Sequence, residues 1–144
     1  LEAHVRKLEL KYRRAEHEAV RFECRETEDA EIVLVGYGIV SRVLKEVVER
    51  ARAEGIEAGL LRPITLYPFP GARIREVARR ARVFVVVEMS TGQLLDDVRL
   101  ALDGCRPVEF YSRVGGNVPS ADEVLAFLRK LLLRPAPEGE LLHA

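Results

Sequence analysis

The sequence is poor in the residues that build metal sites and disulfide frameworks. It has two cysteines, Cys24 and Cys105, in 144 residues. Two thiols are too few for a disulfide framework, a four-ligand metal site or an iron–sulfur cluster. The three histidines, His4, His17 and His143, all lie in the terminal segments. We therefore expect neither a metal site nor a histidine-based catalytic triad, and we expect the reducing environment of the cytoplasm.

Net charge and long apolar runs are also missing. The chain has 23 basic and 23 acidic residues and a formal net charge of zero, so we expect no overall attraction to nucleic acid or to an anionic membrane. No apolar run approaches the roughly 20 residues that span a bilayer. The first residues are too charged for a signal peptide, and the start at Leu1 suggests a segment of a longer chain.

Strand and helix patterns alternate along the chain. Residues Ala19–Cys24 alternate apolar and polar side chains, which predicts a half-exposed edge strand. Four further stretches have strand character: Ile32–Val35, Ala58–Leu61, Val83–Val87 and Val108–Tyr111. Apolar faces at helical spacing separate these stretches, and Ser120–Glu123 forms a capping box before the last helix. The alternation predicts an α/β fold, with a mostly parallel sheet covered on both faces and one antiparallel strand near an edge.

Three regions are predicted along the chain. Residues 1–18 form a charged helix or linker whose thin apolar stripe needs a neighbour to pack on. Residues 19–133 form the α/β domain, and residues 134–144 form a flexible tail.

Ligands and partners of open parallel sheets meet the loops at the carboxyl ends of the strands. We call this side of the sheet, where the parallel strands end, the strand-end edge. The loops that form it are residues 36–38, 62–70, 88–93 and 112–117. The loop Arg62–Pro70 is unusual, because it combines three prolines with large apolar side chains. Proline excludes helix and central strand, so the loop is expected to be a stiff surface that packs against this domain or another one.

Two features of these loops have alternative interpretations. The glycines of Gly36-Tyr37-Gly38 precede a helix and could bind phosphate, but the third glycine of a dinucleotide loop is absent, so a tight turn is favoured. Glu88 follows a buried strand and needs a partner there. We expect a structural ion pair with Arg62 or Arg113 in preference to a catalytic role. No catalytic, cofactor-binding or metal-binding residue is therefore assigned to this chain.

Four motifs, taken in order, resemble a known family: Val35–Gly38, Gly59–Pro70, Val87–Leu94 and Arg113–Pro119. Together they are similar to the C-terminal part, core domain II, of the alpha subunit of 2-oxoacid:ferredoxin oxidoreductases. The resemblance covers roughly residues 1–132. The stretches Val98–Leu102 and Pro107–Tyr111 favour the 2-oxoisovalerate type.

The resemblance implies a transketolase-C-terminal-like domain, a three-layer α/β/α sandwich with five strands, one of them antiparallel. It implies a whole enzyme that oxidatively decarboxylates a 2-oxoacid to an acyl-CoA and passes electrons to ferredoxin. Thiamine diphosphate, magnesium, iron–sulfur clusters and coenzyme A would belong to that whole enzyme, with none of them in this chain. The implied partners are a pyrimidine-binding domain of the same subunit, the beta and gamma/delta subunits, and ferredoxin.

The sequence therefore predicts a scaffold and interface domain of a larger oxidoreductase that is not catalytic alone. The interface candidates are Tyr37, Arg62, Thr65, Tyr67, Phe69, Glu88, Gln93, Arg113 and Asn117. Two alternatives stay open at this point. One is the C-terminal domain of another thiamine enzyme, of the transketolase or pyruvate dehydrogenase type, and the other is a free-standing nucleotide-binding module.

Overall fold

The computed structural model describes residues 1–134, which form five helices and five strands. The helices are α1 (Glu2–Glu18), α2 (Gly38–Ala53), α3 (Gly71–Val77), α4 (Gln93–Leu102) and α5 (Ala121–Leu132). The strands are β1 (Phe22–Arg25), β2 (Ile32–Val35), β3 (Ala58–Pro63), β4 (Val83–Glu88) and β5 (Val108–Ser112).

All five strands form one sheet in the order β1-β3-β2-β4-β5. Strand β1 pairs antiparallel with β3, and every other pair is parallel. The predicted fold class is therefore confirmed, including the antiparallel strand at an edge. Strand β1 begins later than the predicted Ala19–Cys24, because Ala19 still closes the last turn of α1. Strand β3 continues through Pro63, whose partner across the sheet is Phe22.

The core lies on both faces of the sheet. On one face α3 and α4 pack over side chains that include Phe84 and Val86. On the other face α2 and α5 pack over side chains that include Leu34 and Leu60. All four residues of β2 are buried, which fits a central strand covered by helices on both sides.

Helix α1 lies outside this core. It has no buried residue, and its aromatic contact is that of Tyr12 with Tyr67, whose rings meet edge to face at 6.3 Å. The predicted division into residues 1–18, 19–133 and 134–144 stays a prediction, and Pro135–Ala144 lie outside the described residues. Among residues 1–134, none of the helices combines the length and apolar character that crossing a bilayer would require.

Two carboxylates near β1 are held ionised by basic neighbours. Glu23 lies 2.9 Å from the Lys45 Nζ and 3.1 Å from an Arg62 guanidinium nitrogen. The hydrogen bond from Lys45, followed by that from Arg62, lowers the pKa of Glu23 below its ordinary value of 4.5. Arg52 contacts both carboxylate oxygens of Asp29, and this hydrogen bonding lowers the pKa of Asp29 below 3.8.

These depressed pKa values predict a loss of stability in acid. A carboxyl whose pKa is lower in the folded state binds fewer protons there, so its contribution is present above the unfolded-state pKa and is lost as pH falls through the folded one. For Glu23, which is partly exposed, the contribution is below about 1 kcal/mol. Urea unfolding at pH 7 and pH 3 should show that Glu23→Gln weakens the pH dependence.

Glu16→Gln serves as the control for this prediction, because Glu16 makes no ion pair within residues 1–134. That variant should keep the full pH dependence. If Glu23→Gln changed stability equally at both pH values, the pairing with Lys45 and Arg62 would not be the source of the effect.

Candidate functional site

The strand-end edge gathers the four predicted loops on one side of the molecule. Strands β2, β3, β4 and β5 are parallel, so the segments that follow them leave the sheet at the same edge. The segment after β2 is the short connection Gly36–Tyr37 into α2. Gly36 leaves little room for a side chain in this turn, because a Cβ there would lie 2.7 Å from the Leu44 side chain and 3.1 Å from the Val87 carbonyl oxygen.

The proline-rich loop folds partly onto its own domain. The Thr65 hydroxyl accepts a hydrogen bond from the Arg21 backbone N–H at 2.9 Å and donates one to the Pro68 carbonyl at 2.8 Å. Pro68 is buried, and the half-buried Phe69 packs against the core beneath α3 and α4. Tyr67 points the other way and is 67% exposed. These hydrogen bonds and buried side chains hold the loop against its own domain, and the side chains on its outer side are exposed to solvent.

That outer surface is apolar. Seven large apolar side chains in or next to the strand-end loops are exposed: Tyr37, Ile39, Ile64, Leu66, Tyr67, Val114 and Val118. Large exposed apolar areas on a domain typically mark a contact with another protein segment, and these side chains belong to segments at one edge of the sheet. Tyr37 and Tyr67 were predicted from the sequence, whereas the five aliphatic residues were missed. The position of the four loop residues was a signal, since aliphatic residues in proline- and glycine-rich loops lack a helical or strand face to bury them; Ile39 lies in α2 and gave no such signal.

Glu88 differs from the prediction. It is 1% exposed, and its carboxylate accepts hydrogen bonds from the Ser90 hydroxyl, from the Gly92 N–H at 2.9 Å and from the Leu95 N–H at 3.0 Å. The expected ion pair with Arg62 or Arg113 is therefore wrong. The carboxylate instead caps the N-terminus of α4, where free backbone donors and the helix dipole stabilise a negative charge.

The two arginines pair elsewhere. Arg62 belongs to β3 and not to the loop, and it contacts Glu23. Arg113 pairs with Glu123 of α5. The three charged side chains of the four loops, Arg62, Glu88 and Arg113, thus all have partners among residues 1–134.

The remaining polar candidates make local contacts. The Gln93 amide lies 3.5 Å from the Thr91 hydroxyl, and the Asn117 amide donates to the Val114 carbonyl at 3.1 Å. Both side chains are exposed. They are available to a partner, but neither converges with another polar group on a common point.

A small depression lies between the carboxyl ends of β2 and β4, where the chain order of the strands reverses. Residues from Tyr37 to Val40 and from Val87 to Ser90 line it, and its volume is about 160 Å³. Ligand sites for drug-sized molecules are larger, about 300–1,000 Å³. The geometry therefore disfavours the nucleotide-binding alternative. Within residues 1–134, no group of three or more His, Cys, Asp or Glu side chains is arranged to hold a metal ion.

Comparison with known proteins agrees with the resemblance. Residues 30–124 match the family model of the pyruvate:ferredoxin oxidoreductase core domain II. The ketoisovalerate oxidoreductase subunit VorB of Methanothermobacter marburgensis is 52% identical over 124 residues, which cover 86% of this chain and 35% of VorB. The chain thus spans about a third of the length of this curated relative.

Solved structures show the same fold. A 2-oxoglutarate:ferredoxin oxidoreductase from Magnetococcus marinus superposes with a TM-score of 0.68 at 21% identity, covering 76% of this chain and 19% of that one. A split-gene transketolase superposes with a TM-score of 0.66 at 23% identity, covering 78% and 41% respectively. The predicted transketolase-like fold of the domain is confirmed by these likenesses. Because the family match extends over residues 30–124, the chain belongs to the family of the pyruvate:ferredoxin oxidoreductase core domain II.

Proposed function

We propose that this chain is the scaffold and interface domain of the alpha subunit of a 2-oxoacid:ferredoxin oxidoreductase, with no catalysis of its own. The observation that carries the proposal is the strand-end edge, whose loops expose apolar side chains and pair their charged side chains among residues 1–134. Such a surface fits a stable contact with another domain, because apolar area contributes to association while unpaired buried charge opposes it. The occupant we propose is the pyrimidine-binding domain of the same subunit, with the beta and gamma/delta subunits beyond it.

The activity proposed for the whole enzyme is oxidative decarboxylation of a 2-oxoacid to an acyl-CoA, with ferredoxin as electron acceptor. The identity of 52% to VorB favours a ketoisovalerate-type substrate. Thiamine diphosphate, magnesium, iron–sulfur clusters and coenzyme A would be held elsewhere in that assembly, in the cytoplasm. The two cysteines, Cys24 and Cys105, do not suffice for a four-thiolate cluster.

A domain exchange tests this proposal. The segment of Methanothermobacter marburgensis VorB that aligns with this chain is replaced by the chain itself, and the complex is purified with its other subunits. We expect the chimera to assemble and to reduce a viologen dye in the presence of ketoisovalerate and coenzyme A. An assembled chimera without this activity, or a failure to assemble, would contradict the proposed function.

A single charge at the strand-end edge should then prevent assembly. Ile64 is 51% exposed in the domain alone, and burying an aspartate there at an interface would leave the charge unpaired. We expect Ile64→Asp to lower the yield of assembled chimera at least tenfold, which corresponds to about 1.4 kcal/mol of association free energy. Size-exclusion chromatography of the complex and viologen reduction measure the effect.

Leu132→Asp is the matched control, since Leu132 is 52% exposed and lies at the end of α5, away from the strand-end edge. Both substitutions should leave the melting temperature of the isolated chain nearly unchanged, because surface substitutions usually alter stability by less than about 0.5 kcal/mol. Equal losses of assembly in the two variants would argue against the strand-end edge as the contact.

A further inference from the structure

The opposite edge of the sheet carries a cluster of arginines that the proposed function does not use. Residues 71–82 contain five arginines and one acidic residue, Glu76. The last part of this segment connects α3 to β4 and therefore lies at the amino ends of the parallel strands. The connection between β1 and β2 reaches the same edge, since Thr27 and Glu28 lie there.

These two connections enclose a cavity of about 370 Å³, which we call the arginine cavity. Thr27, Arg73, Arg79 and Arg80 line it, together with Glu28 and Glu76. Thr27 is 4% exposed, and its hydroxyl has no hydrogen-bond partner among residues 1–134. The hydroxyl oxygen exposes less than 1 Å² of surface, so a ligand in the cavity would contact the charged side chains of the lining and not this oxygen.

The three arginines that line the cavity differ in how close their nearest carboxylate groups lie. Arg73 lies 2.8 Å from the Glu76 carboxylate and 4.0 Å from that of Glu28, so its charge is already balanced. Arg80 donates to the backbone carbonyl of Glu28 at 2.9 Å and makes no ion pair within residues 1–134. Arg79 is exposed and likewise forms neither an ion pair nor a side-chain hydrogen bond with the described residues. Arg79 and Arg80 thus have no carboxylate partner in the part of the chain that the structure describes.

We propose that the arginine cavity binds a phosphate group, as inorganic phosphate or as the end of a small phosphomonoester, through Arg79 and Arg80. Each guanidinium group matches phosphate oxygens with two parallel N–H donors, and neither of these two has a carboxylate partner among residues 1–134. The cavity volume exceeds that of a single anion, which leaves room for the remainder of a phosphomonoester. The site lies at the amino-end edge and is independent of the docking proposed for the strand-end edge.

Isothermal titration calorimetry on the whole chain tests this proposal. Inorganic phosphate and ribose 5-phosphate are titrated separately in a phosphate-free buffer whose ionic strength is held constant with chloride. We expect saturable one-to-one binding that Arg79→Gln weakens about tenfold, since hydrogen bonds to charged groups contribute on that scale. Tighter binding of ribose 5-phosphate than of inorganic phosphate would identify a phosphomonoester as the ligand, and equal affinity would identify free phosphate.

Two further variants keep the test falsifiable. Arg80→Gln should weaken phosphate binding about as much as Arg79→Gln, because both guanidinium groups would contact the anion. Arg42→Gln is the matched control, because Arg42 is an exposed arginine on α2, on the other face of the sheet, and should bind phosphate like the unaltered chain. Absence of saturable binding, or equal binding by Arg79→Gln and the unaltered chain, would overturn the proposal.

Discussion

Replacing Gly59 with alanine is expected to destabilise the domain by about 3 kcal/mol, at the upper end of the range for overpacking. A Cβ at Gly59 would lie 2.5 Å from the Glu26 carbonyl oxygen and 2.9 Å from the Ala30 Cβ. Two of the nearest atoms belong to the backbone of Glu26, which cannot turn aside as a flexible side chain would. The same carbonyl also accepts a hydrogen bond from Arg52 at 2.9 Å, so displacing it would disturb the attachment of α2.

Urea unfolding followed by circular dichroism measures this effect. Gly71→Ala is the control, because the nearest atom to a Cβ at Gly71 is the Ala101 Cβ at 3.4 Å, an ordinary contact. Alanine in the first turn of α3 should leave stability unchanged or raise it by up to about 1 kcal/mol. If Gly59→Ala changed the free energy of unfolding as little as Gly71→Ala, the connection between β1 and β2 would be able to shift and make room for the methyl group.

The second large effect is expected at Glu88. Removing the carboxylate with Glu88→Ala would leave the Ser90 hydroxyl and the N–H groups of Gly92 and Leu95 without their acceptor. Buried donors that lose a partner cost about 1–3 kcal/mol each, with partial relief by water, so we expect a total loss of about 3 kcal/mol. Glu88→Gln keeps one acceptor oxygen and should lose less, about 1–2 kcal/mol.

Two measurements separate this capping role from simple loss of packing. Hydrogen exchange should accelerate at the Gly92 and Leu95 amides in both variants, before global unfolding contributes. Ser120→Ala removes the exposed cap of α5, whose hydroxyl accepts from the Glu123 N–H at 3.2 Å, and should cost only about 1 kcal/mol. Unchanged exchange at Gly92 and Leu95 in Glu88→Ala would show that other groups hold the start of α4.

The sheet could be predicted because a strand that is buried on both faces consists of a run of apolar residues, which is visible in the sequence. Strands β2 and β4 are runs of apolar residues, and the structure buries nearly all of them. The alternation before β1 correctly indicated an edge strand, although the strand begins at Phe22 and not at Ala19. Bounds of this kind depend on where a helix stops, and α1 extends to Glu18 with its cap at Ala19.

The partners of charged side chains were not predictable in the same way. Glu88 had to be paired, but the sequence does not say that the nearest donors are backbone N–H groups four and seven residues later. Arg62 pairs with Glu23 because β1 lies antiparallel beside β3, a contact between residues 39 apart in the chain. Loop position alone could have marked four of the five exposed aliphatic residues, but the exposure of Ile39 depends on how α2 packs on the sheet, which the sequence does not show.

The pairing of Arg62, Glu88 and Arg113 within residues 1–134 has a consequence for how the domain responds to salt. Screening weakens attractions between charges in water but has little effect on contacts between apolar surfaces. Assembly through Ile64, Tyr67 and their neighbours should therefore persist as ionic strength rises, whereas phosphate binding by Arg79 and Arg80 should weaken. High salt would therefore release phosphate from the arginine cavity and leave the domain assembled in its complex.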